Sequence, residues 1–296
     1  MAFSNRTQGT RIRLPAVAGL FYPVHPDELA ETVDKLIEQA RSSADSKAEG
    51  ATRSTPESTP ETIAHRIKAL IVPHAGYIYS GATAAEAFKL LQGQAGEIQR
   101  IVLLGPSHRV GFQGMALSTA NQFRTPLGDI PLDVDLAKSL EQLPDVQFLD
   151  AAHDQEHSLE VQLPFLQRLL NNFLLLPVVV GEAEQDSISQ LLEHIWQLPN
   201  TLIIISSDLS HFLTYNDANM LDRQTCVAIT KLAPADISYE QACGRNPVKG
   251  LLVSAKKHGL VPLTLALCNS GDTAGDKQRV VGYGAWAFIE NNRSTA

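Results

Sequence analysis

The stretch LLGPSHRVGF, residues 103–112, is an apolar run that stops at a glycine, a proline, a serine and a histidine. Two other stretches have the same form, ALIVPHAGYIYSG at 69–81 and LIIISSDLSHF at 202–212. Continuous apolar runs of this length are typical of strands that are buried on both faces, in a sheet covered by helices. Because ligands of parallel sheets bind beyond the carboxyl ends of the strands, we expect the three histidine-bearing turns to meet at one edge.

The rest of the chain alternates between strand-like and helical patterns. Apolar runs predict strands at 68–72, 100–104, 173–180, 201–205, 261–267 and 280–289. Helical periodicity predicts helices at 26–40, 82–91, 158–170, 187–198, 215–232 and 247–257. This alternation predicts an α/β fold, a single domain over 11–290 with a largely parallel central sheet flanked by helices. The polar segment 41–62 predicts a disordered insertion, and residues 1–10 and 291–296 predict flexible tails.

Composition and charge argue against several classes of protein. Of the 296 residues, 44% are hydrophobic and 19% are charged, which is ordinary for a globular domain. The formal net charge of −8 argues against nucleic-acid binding, which needs clustered Lys and Arg. The sequence has no signal-peptide core and no long apolar run, so we expect a cytoplasmic protein that does not bind membranes. The cysteines form no CxxC pair, which suits a reducing compartment: Cys226, Cys243 and Cys268.

Two of the histidines that follow predicted strands, His74 and His108, are candidate metal ligands. Neutral imidazole is a common ligand of iron, copper and zinc, and strand ends hold a side chain rigidly. Two ligands are too few for a site, and Asp208, Glu240 and Cys243 are candidates for a third. Cys243 immediately precedes a predicted helix, whose positive dipole end favours the thiolate, so Cys243 is a candidate ligand or nucleophile.

Two further clusters carry candidate acid–base residues. Asp208 and His211, three residues apart, predict a carboxylate that orients a general acid or base. The alternative is that Asp208 caps a helix and His211 is exposed. The cluster HDQEHSLEVQLPFLQ at 153–167 contains the order HxxEH, which inverzincins use. Pro164 interrupts the continuous helix that a metalloprotease would need, which argues against that class of enzyme. We interpret His157 as a pocket residue.

Six blocks of sequence resemble the signature blocks of the MEMO family, which includes proteins labelled AmmeMemoRadiSam system protein B. The blocks are RLPAVAGLFYP at 13–23, VPHAGYIYSG at 72–81, GPSH at 105–108, EHSLEVQLPFL at 156–166, SSDLSHF at 206–212 and CGRNP at 243–247. The resemblance implies a fold similar to the class III extradiol (LigB-type) dioxygenases, which bind non-haem Fe(II) through two histidines and a glutamate.

Carried over to this chain, the resemblance implies that His74 and His108 are the imidazole ligands. It implies that Cys243 takes the third position and that His211 is the acid–base histidine, with Asp208 beside it. A thiolate in place of a carboxylate shifts the metal preference toward copper or zinc and argues against ring-cleaving chemistry. No nucleotide cofactor is expected.

Three functions remain open at this point. The first is a redox metalloprotein or oxidoreductase with Fe2+ as the expected metal, copper or zinc as alternatives, and four substrate-binding residues: Tyr77, Ser107, Phe112 and His157. The second is a hydrolase or transferase in which a histidine activates Cys243 as the nucleophile. The third is a scaffold that binds a small molecule or peptide in the pocket, with radical-SAM and AMMECR-type proteins as the partners that the family label implies.

Overall fold

The computed structural model describes residues 10–41 and 66–290, which form a nine-stranded sheet with helices on both faces and a separate three-stranded sheet. The predicted tails and the predicted insertion at 41–62 lie outside the described residues, apart from Thr10 and Arg41. Within the described part of the chain, no helix combines the length and the apolar character that crossing a membrane needs.

The helices and strands follow the predicted alternation, with several short strands added. The strands are β1 (Ile12–Arg13), β2 (Ile67–Val72), β3 (Arg100–Pro106), β4 (Met115–Leu117), β5 (Gln122–Thr125), β6 (Gly128–Pro131), β7 (Val146–Phe148), β8 (Leu174–Val180), β9 (Thr201–Ser206), β10 (His211–Leu213), β11 (Val261–Asn269) and β12 (Val280–Ile289). The helices are α1 (Pro26–Gln39), α2 (Ala82–Lys89), α3 (Val134–Leu140), α4 (Asp150–Asp154), α5 (Leu163–Leu169), α6 (Gln185–Trp196), α7 (Tyr215–Thr230) and α8 (Arg245–Lys257).

Four parallel strands form the centre of the sheet in the order β2-β9-β3-β8. Nearly every residue in them is buried, which explains why their sequences are apolar without alternation. Successive residues face two different cores because side chains alternate along a strand. In β2, Leu70 and Val72 belong to the core under α1, α2 and α5, whereas Ala69 and Ile71 belong to the core under α6 and α8.

Outside these four strands the sheet is mixed, so the prediction of a largely parallel sheet holds only for the centre. β12 pairs antiparallel with β2, β10 and β11, and β4 pairs antiparallel with β8. The reason lies in the connections: β11 and β12 are consecutive strands joined without a crossover helix, and such a connection gives antiparallel pairing.

Gly105 and Pro106 lie inside β3 and do not form a turn after it. A Cβ on Gly105 would lie 2.8 Å from both Ser158 Oγ and Leu159 Cδ2, closer than side chains tolerate. Residues 156–162, which we call the crossing segment, therefore pass over the end of β3 at close range. Glycine is required at 105 because only a residue without a Cβ leaves room for that passage.

A buried ion pair holds the start of the described chain against the crossing segment. Arg13, in β1, donates to the Glu160 carboxylate, to the Glu156 carbonyl (2.7 Å) and to the His153 carbonyl (3.1 Å). Both charged side chains of the Arg13–Glu160 pair are almost fully buried. Glu160 also accepts hydrogen bonds from three nearby groups: the N–H groups of Ala16 and Val17 and the Tyr22 hydroxyl.

We expect Arg13→Met to lower the free energy of unfolding by about 3–5 kcal/mol, because it leaves the Glu160 carboxylate buried and unpaired. The matched control is Arg168→Met, which removes a bidentate pair to Asp34 whose side chains are both about 40% exposed. That control should cost less than about 1 kcal/mol. Urea unfolding measures both, and equal losses would contradict the structural role of Arg13.

Candidate metal centre

The carboxyl ends of the central strands bring together residues that are far apart in the sequence. His74 lies two residues beyond the end of β2, and His108 lies two residues beyond the end of β3. β9, which pairs with both strands, ends at Ser206, and Asp208 follows two residues later. The site is therefore built on the rigid edge of the sheet.

Three imidazole rings form the centre of this site. The possible ligand atoms of His74, His108 and His157 all lie within 4.8 Å of one another, which allows them to bind one metal ion. Their ring centroids are 5.1 Å apart for His74 and His108, 5.4 Å for His74 and His157, and 4.5 Å for His108 and His157. Over residues 10–41 and 66–290, this is the group of possible metal ligands whose atoms lie that close together. It includes His157, which the sequence predicted to bind substrate.

Glu156 fixes the positions of two of these histidines. Its carboxylate accepts hydrogen bonds from the N–H groups of His108 (2.6 Å), His157 (3.0 Å) and Ser158 (2.9 Å). Burial raises the pKa of Glu156, but hydrogen bonds from His108 outweigh burial and lower the pKa to about 2. The carboxylate is therefore ionised at neutral pH and only accepts hydrogen bonds.

The ionised Glu156 also sets the tautomer of His108. Glu156 Oε1 lies 2.9 Å from His108 Nδ1, so Nδ1 carries the proton and donates it to the carboxylate. In the neutral form of the ring, the other nitrogen, Nε2, has a lone pair. Metal-binding histidines are commonly held in this way, with the second nitrogen bonded to a carboxylate.

His157 contributes a ring nitrogen that has no protein partner among the described residues. Its Nδ1 is buried without a hydrogen bond and lies 3.3 Å from Glu156 Oε1 outside hydrogen-bonding geometry. Burial lowers the pKa of His157 to about 4, and electrostatic repulsion from His74 is the second cause. The ring is thus neutral at physiological pH, the form in which imidazole binds a metal.

His74 is the most deeply buried of the three, with 1% of its surface exposed. Its N–H donates to Asp208 Oδ1 at 2.7 Å, and its Nδ1 lies 3.0 Å from Ser206 Oγ. Burial lowers the pKa of His74 well below its ordinary value, and burial raises the pKa of Asp208. Asp208 therefore holds the backbone of His74 and makes no hydrogen bond to His211.

Cys243 lies beside His74, with its Sγ 3.2 Å from His74 Nε2. Metal–nitrogen and metal–sulfur bonds are about 2.0 and 2.3 Å long, so atoms at this separation fit two ligands of one ion. Burial, followed by the charge of Asp208, raises the pKa of the thiol. The sequence predicted the opposite direction from the nearby helix end, and here burial outweighs the dipole.

A pocket of about 510 Å³ gives access to the site. His108, Cys243 and His211 line it, together with the predicted substrate residues Ser107 and Phe112. His211 Nδ1 lies 2.8 Å from the Leu209 carbonyl, which only accepts, so His211 Nε2 is unprotonated in the neutral ring. Glu240, the alternative third ligand, is also in the pocket wall, but it is not in the three-histidine group.

Tyr77 lies in the core and not in the pocket wall. Its hydroxyl donates to the Val161 carbonyl at 2.8 Å, and its ring packs on Tyr22 and Phe165. Among the three histidines of the group, His157 contacts the aromatic ring of Phe21, with the ring centroids 4.8 Å apart. Sequence reasoning also passed over three polar residues that hold the histidines: Glu156, Gln162 and Ser206.

Comparisons with known proteins give one consistent result. A model of the family described as Memo-like protein matches residues 13–287. A MEMO1 family protein of Aquifex aeolicus is 33% identical over 290 residues, which cover 94% of this chain and 100% of the relative. MEMO1 family proteins of Sulfolobus acidocaldarius and Methanosarcina acetivorans are 33% and 34% identical, over 92% and 93% of this chain and 97% and 98% of theirs.

We expect the protein to lose stability as the pH falls from about 6.5 to 4, in part through His153. This ring is buried outside the three-histidine group, with Nε2 3.0 Å from the Ala116 carbonyl and with no hydrogen bond from Nδ1 to any described residue. Burial lowers the pKa of His153 to about 4. Because the unfolded chain takes up this proton at higher pH than the folded protein, acidification favours unfolding over that window.

The test is His153→Gln, whose amide can still donate to the Ala116 carbonyl. Between pH 6.5 and 4, the free energy of unfolding should fall less in the variant than in the wild type. The difference between the two losses should reach up to about 3 kcal/mol. Urea unfolding at a series of pH values measures the slope. Identical slopes for the two proteins would show that His153 is not a source of the pH dependence.

Proposed function

Because the chain belongs to the Memo-like family, we propose that the protein is a metal-dependent oxidoreductase related to the extradiol dioxygenases. His74, His108 and His157 hold the metal. Cys243, the third ligand that the sequence predicted, contacts His74 but is outside the three-histidine group, so it is the alternative to His157. The observation that carries this proposal is the group of three imidazoles whose possible ligand atoms lie within 4.8 Å of one another at the edge of the sheet. The expected metal is Fe2+, with copper or zinc as alternatives.

The donor atoms support a metal better than they support a purely structural polar cluster. His157 Nδ1 is buried and has no hydrogen bond to any residue that the structure describes, which costs free energy unless something binds it. His108 is oriented by a carboxylate on its Nδ1. Three imidazoles and a sulfur suit iron, copper and zinc, and they do not suit magnesium or calcium, which prefer oxygen.

Bound iron or copper would supply the redox chemistry that protein side chains lack. The chain itself provides the remaining parts of the proposed reaction. His211, in the pocket wall, is placed to take a proton from a substrate hydroxyl group through its free Nε2. Ser107 and Phe112 bound the space in which a small aromatic or phenolic molecule fits, and about 510 Å³ is ample for one.

The alternative in which Cys243 is a catalytic nucleophile has less support. A nucleophilic cysteine needs a thiol pKa near or below neutrality, and burial raises the pKa of this thiol. The alternative of a binding scaffold uses the same pocket without turnover, with a small molecule, a peptide or the radical-SAM and AMMECR-type proteins as partners. The two experiments below separate these alternatives from the proposal.

We expect protein purified without oxygen to contain about one iron or copper ion per chain, measured by elemental mass spectrometry. His74→Ala and His108→Ala should each reduce the metal content more than about tenfold, because each removes a directly bonded ligand. Comparing the metal content of His157→Gln with that of Cys243→Ser shows which of these two residues is the third metal ligand. The control is His194→Ala, which changes an exposed histidine on α6.

Unchanged metal content in both His74→Ala and His108→Ala would overturn the proposed site. A wild-type protein without metal, whose Cys243 reacts selectively with an alkylating reagent, would favour the nucleophile. A protein with neither property would favour the scaffold.

We expect His211→Gln to reduce oxygen consumption on a panel of phenolic substrates by about 10²–10⁴-fold, because it removes a general base. Its metal content should equal that of the wild type, since His211 is outside the three-histidine group. An oxygen electrode measures turnover on protein of known metal content. Unchanged turnover in the variant would remove His211 from the mechanism.

A further inference from the structure

Ser206 Oγ, at the end of β9, is the meeting point of three hydrogen bonds in the floor of the site. It lies 2.6 Å from the Ser158 carbonyl, 2.9 Å from Gln162 Nε2 and 3.0 Å from His74 Nδ1. Ser206 is fully buried, so water does not compete for these bonds. A hydroxyl has one proton to donate, which limits how the three bonds can be arranged.

The partners of Ser206 leave only one arrangement. The Ser158 carbonyl only accepts, so the Ser206 hydroxyl donates to it. Gln162 Nε2 also lies 2.8 Å from the Pro73 carbonyl, which identifies it as the NH2 group and excludes a flipped amide. Gln162 therefore donates to both partners. The proton of Ser206 is already used, so His74 Nδ1 must donate to Ser206 Oγ.

We infer that Ser206 and Gln162 are positioning residues that hold His74 in the Nδ1–H tautomer, so that its Nε2 lone pair faces the metal position. This inference deepens the proposed function, because it assigns the control of one ligand of the proposed site. It resembles the role of Glu156 toward His108, with a neutral hydroxyl in place of a carboxylate.

The position of Cys243 is compatible with this tautomer, because its Sγ lies 3.2 Å from His74 Nε2. In the Nδ1–H tautomer, the Nε2 lone pair accepts a hydrogen bond from the thiol.

The crossing segment supplies two of the three partners of Ser206, Ser158 and Gln162, and so connects the tautomer to the fold. Ser158 Oγ donates to the Pro106 carbonyl at the end of β3, at 2.9 Å. Gln162 donates to the Pro73 carbonyl just beyond β2. The segment is therefore hydrogen-bonded to the ends of β2, β3 and β9. The orientation of His74 depends on the position of the segment because Ser206 contacts both.

The experiment is ¹⁵N NMR of the histidine rings in metal-free protein, together with Zn2+ titration as a redox-silent probe of affinity. We expect His74 of the wild type to be protonated on Nδ1. Ser206→Ala should give a mixture of tautomers and bind Zn2+ roughly 10–100-fold more weakly. Ser206→Thr keeps the hydroxyl and should keep the wild-type tautomer.

The matched control is Ser254→Ala, which removes another fully buried serine hydroxyl, bonded to Ser189 in the core between α6 and α8. It should leave the His74 tautomer unchanged. Protonation of wild-type His74 on Nε2, or a pure Nδ1–H ring in Ser206→Ala, would overturn the inference. The wild-type spectrum decides the question even if a variant does not fold. Because the tautomer is read without metal, failure of the proposed function alone leaves this result intact.

Discussion

The buried carboxylate of Glu156 is the constraint on which the site depends. An ionised carboxylate removed from water is stable only when donors replace the water, and Glu156 obtains them from the N–H groups of His108, His157 and Ser158 and from the His108 ring. Its own carbonyl accepts from Arg13, which is paired with Glu160. The start of the chain, the crossing segment and the end of β3 are therefore one polar network. Moving any of them would leave a buried charge without a partner.

The sequence was informative about the fold wherever burial alone determines the residue type. The central strands are buried on both faces, so they must be apolar, and their positions were predicted to within two residues. The short strands β4 to β7 were missed because three or four residues are too few to show a period. The antiparallel edges were missed because strand direction depends on how distant segments pair, which a local pattern does not record.

The same reasoning explains which parts of the candidate site were predictable. His74 and His108 were identified because a histidine directly after an apolar strand has a known place in an α/β fold. Ser206 was predicted to lie just after the strand at 201–205, and no local pattern shows that its hydroxyl contacts His74. Glu156 lay in a motif interpreted through its histidines, and only the folded chain shows four donors around its carboxylate. Tyr77 was predicted to bind substrate, but its side chain lies in the core.

The two strand-end histidines have different exposures, and this difference sets the direction of access to the site. His74 is 1% exposed and is held through the neutral hydroxyl of Ser206, whereas His108 lies in the pocket wall and is held through the charge of Glu156. A carboxylate partner makes an imidazole a stronger donor than a hydroxyl partner does. His108, the stronger donor, therefore faces the pocket together with Cys243 and His211. His74, the weaker donor, lies buried beneath them. A molecule that enters must approach from the side of His108, because the crossing segment and the three strand ends occupy the space behind His74.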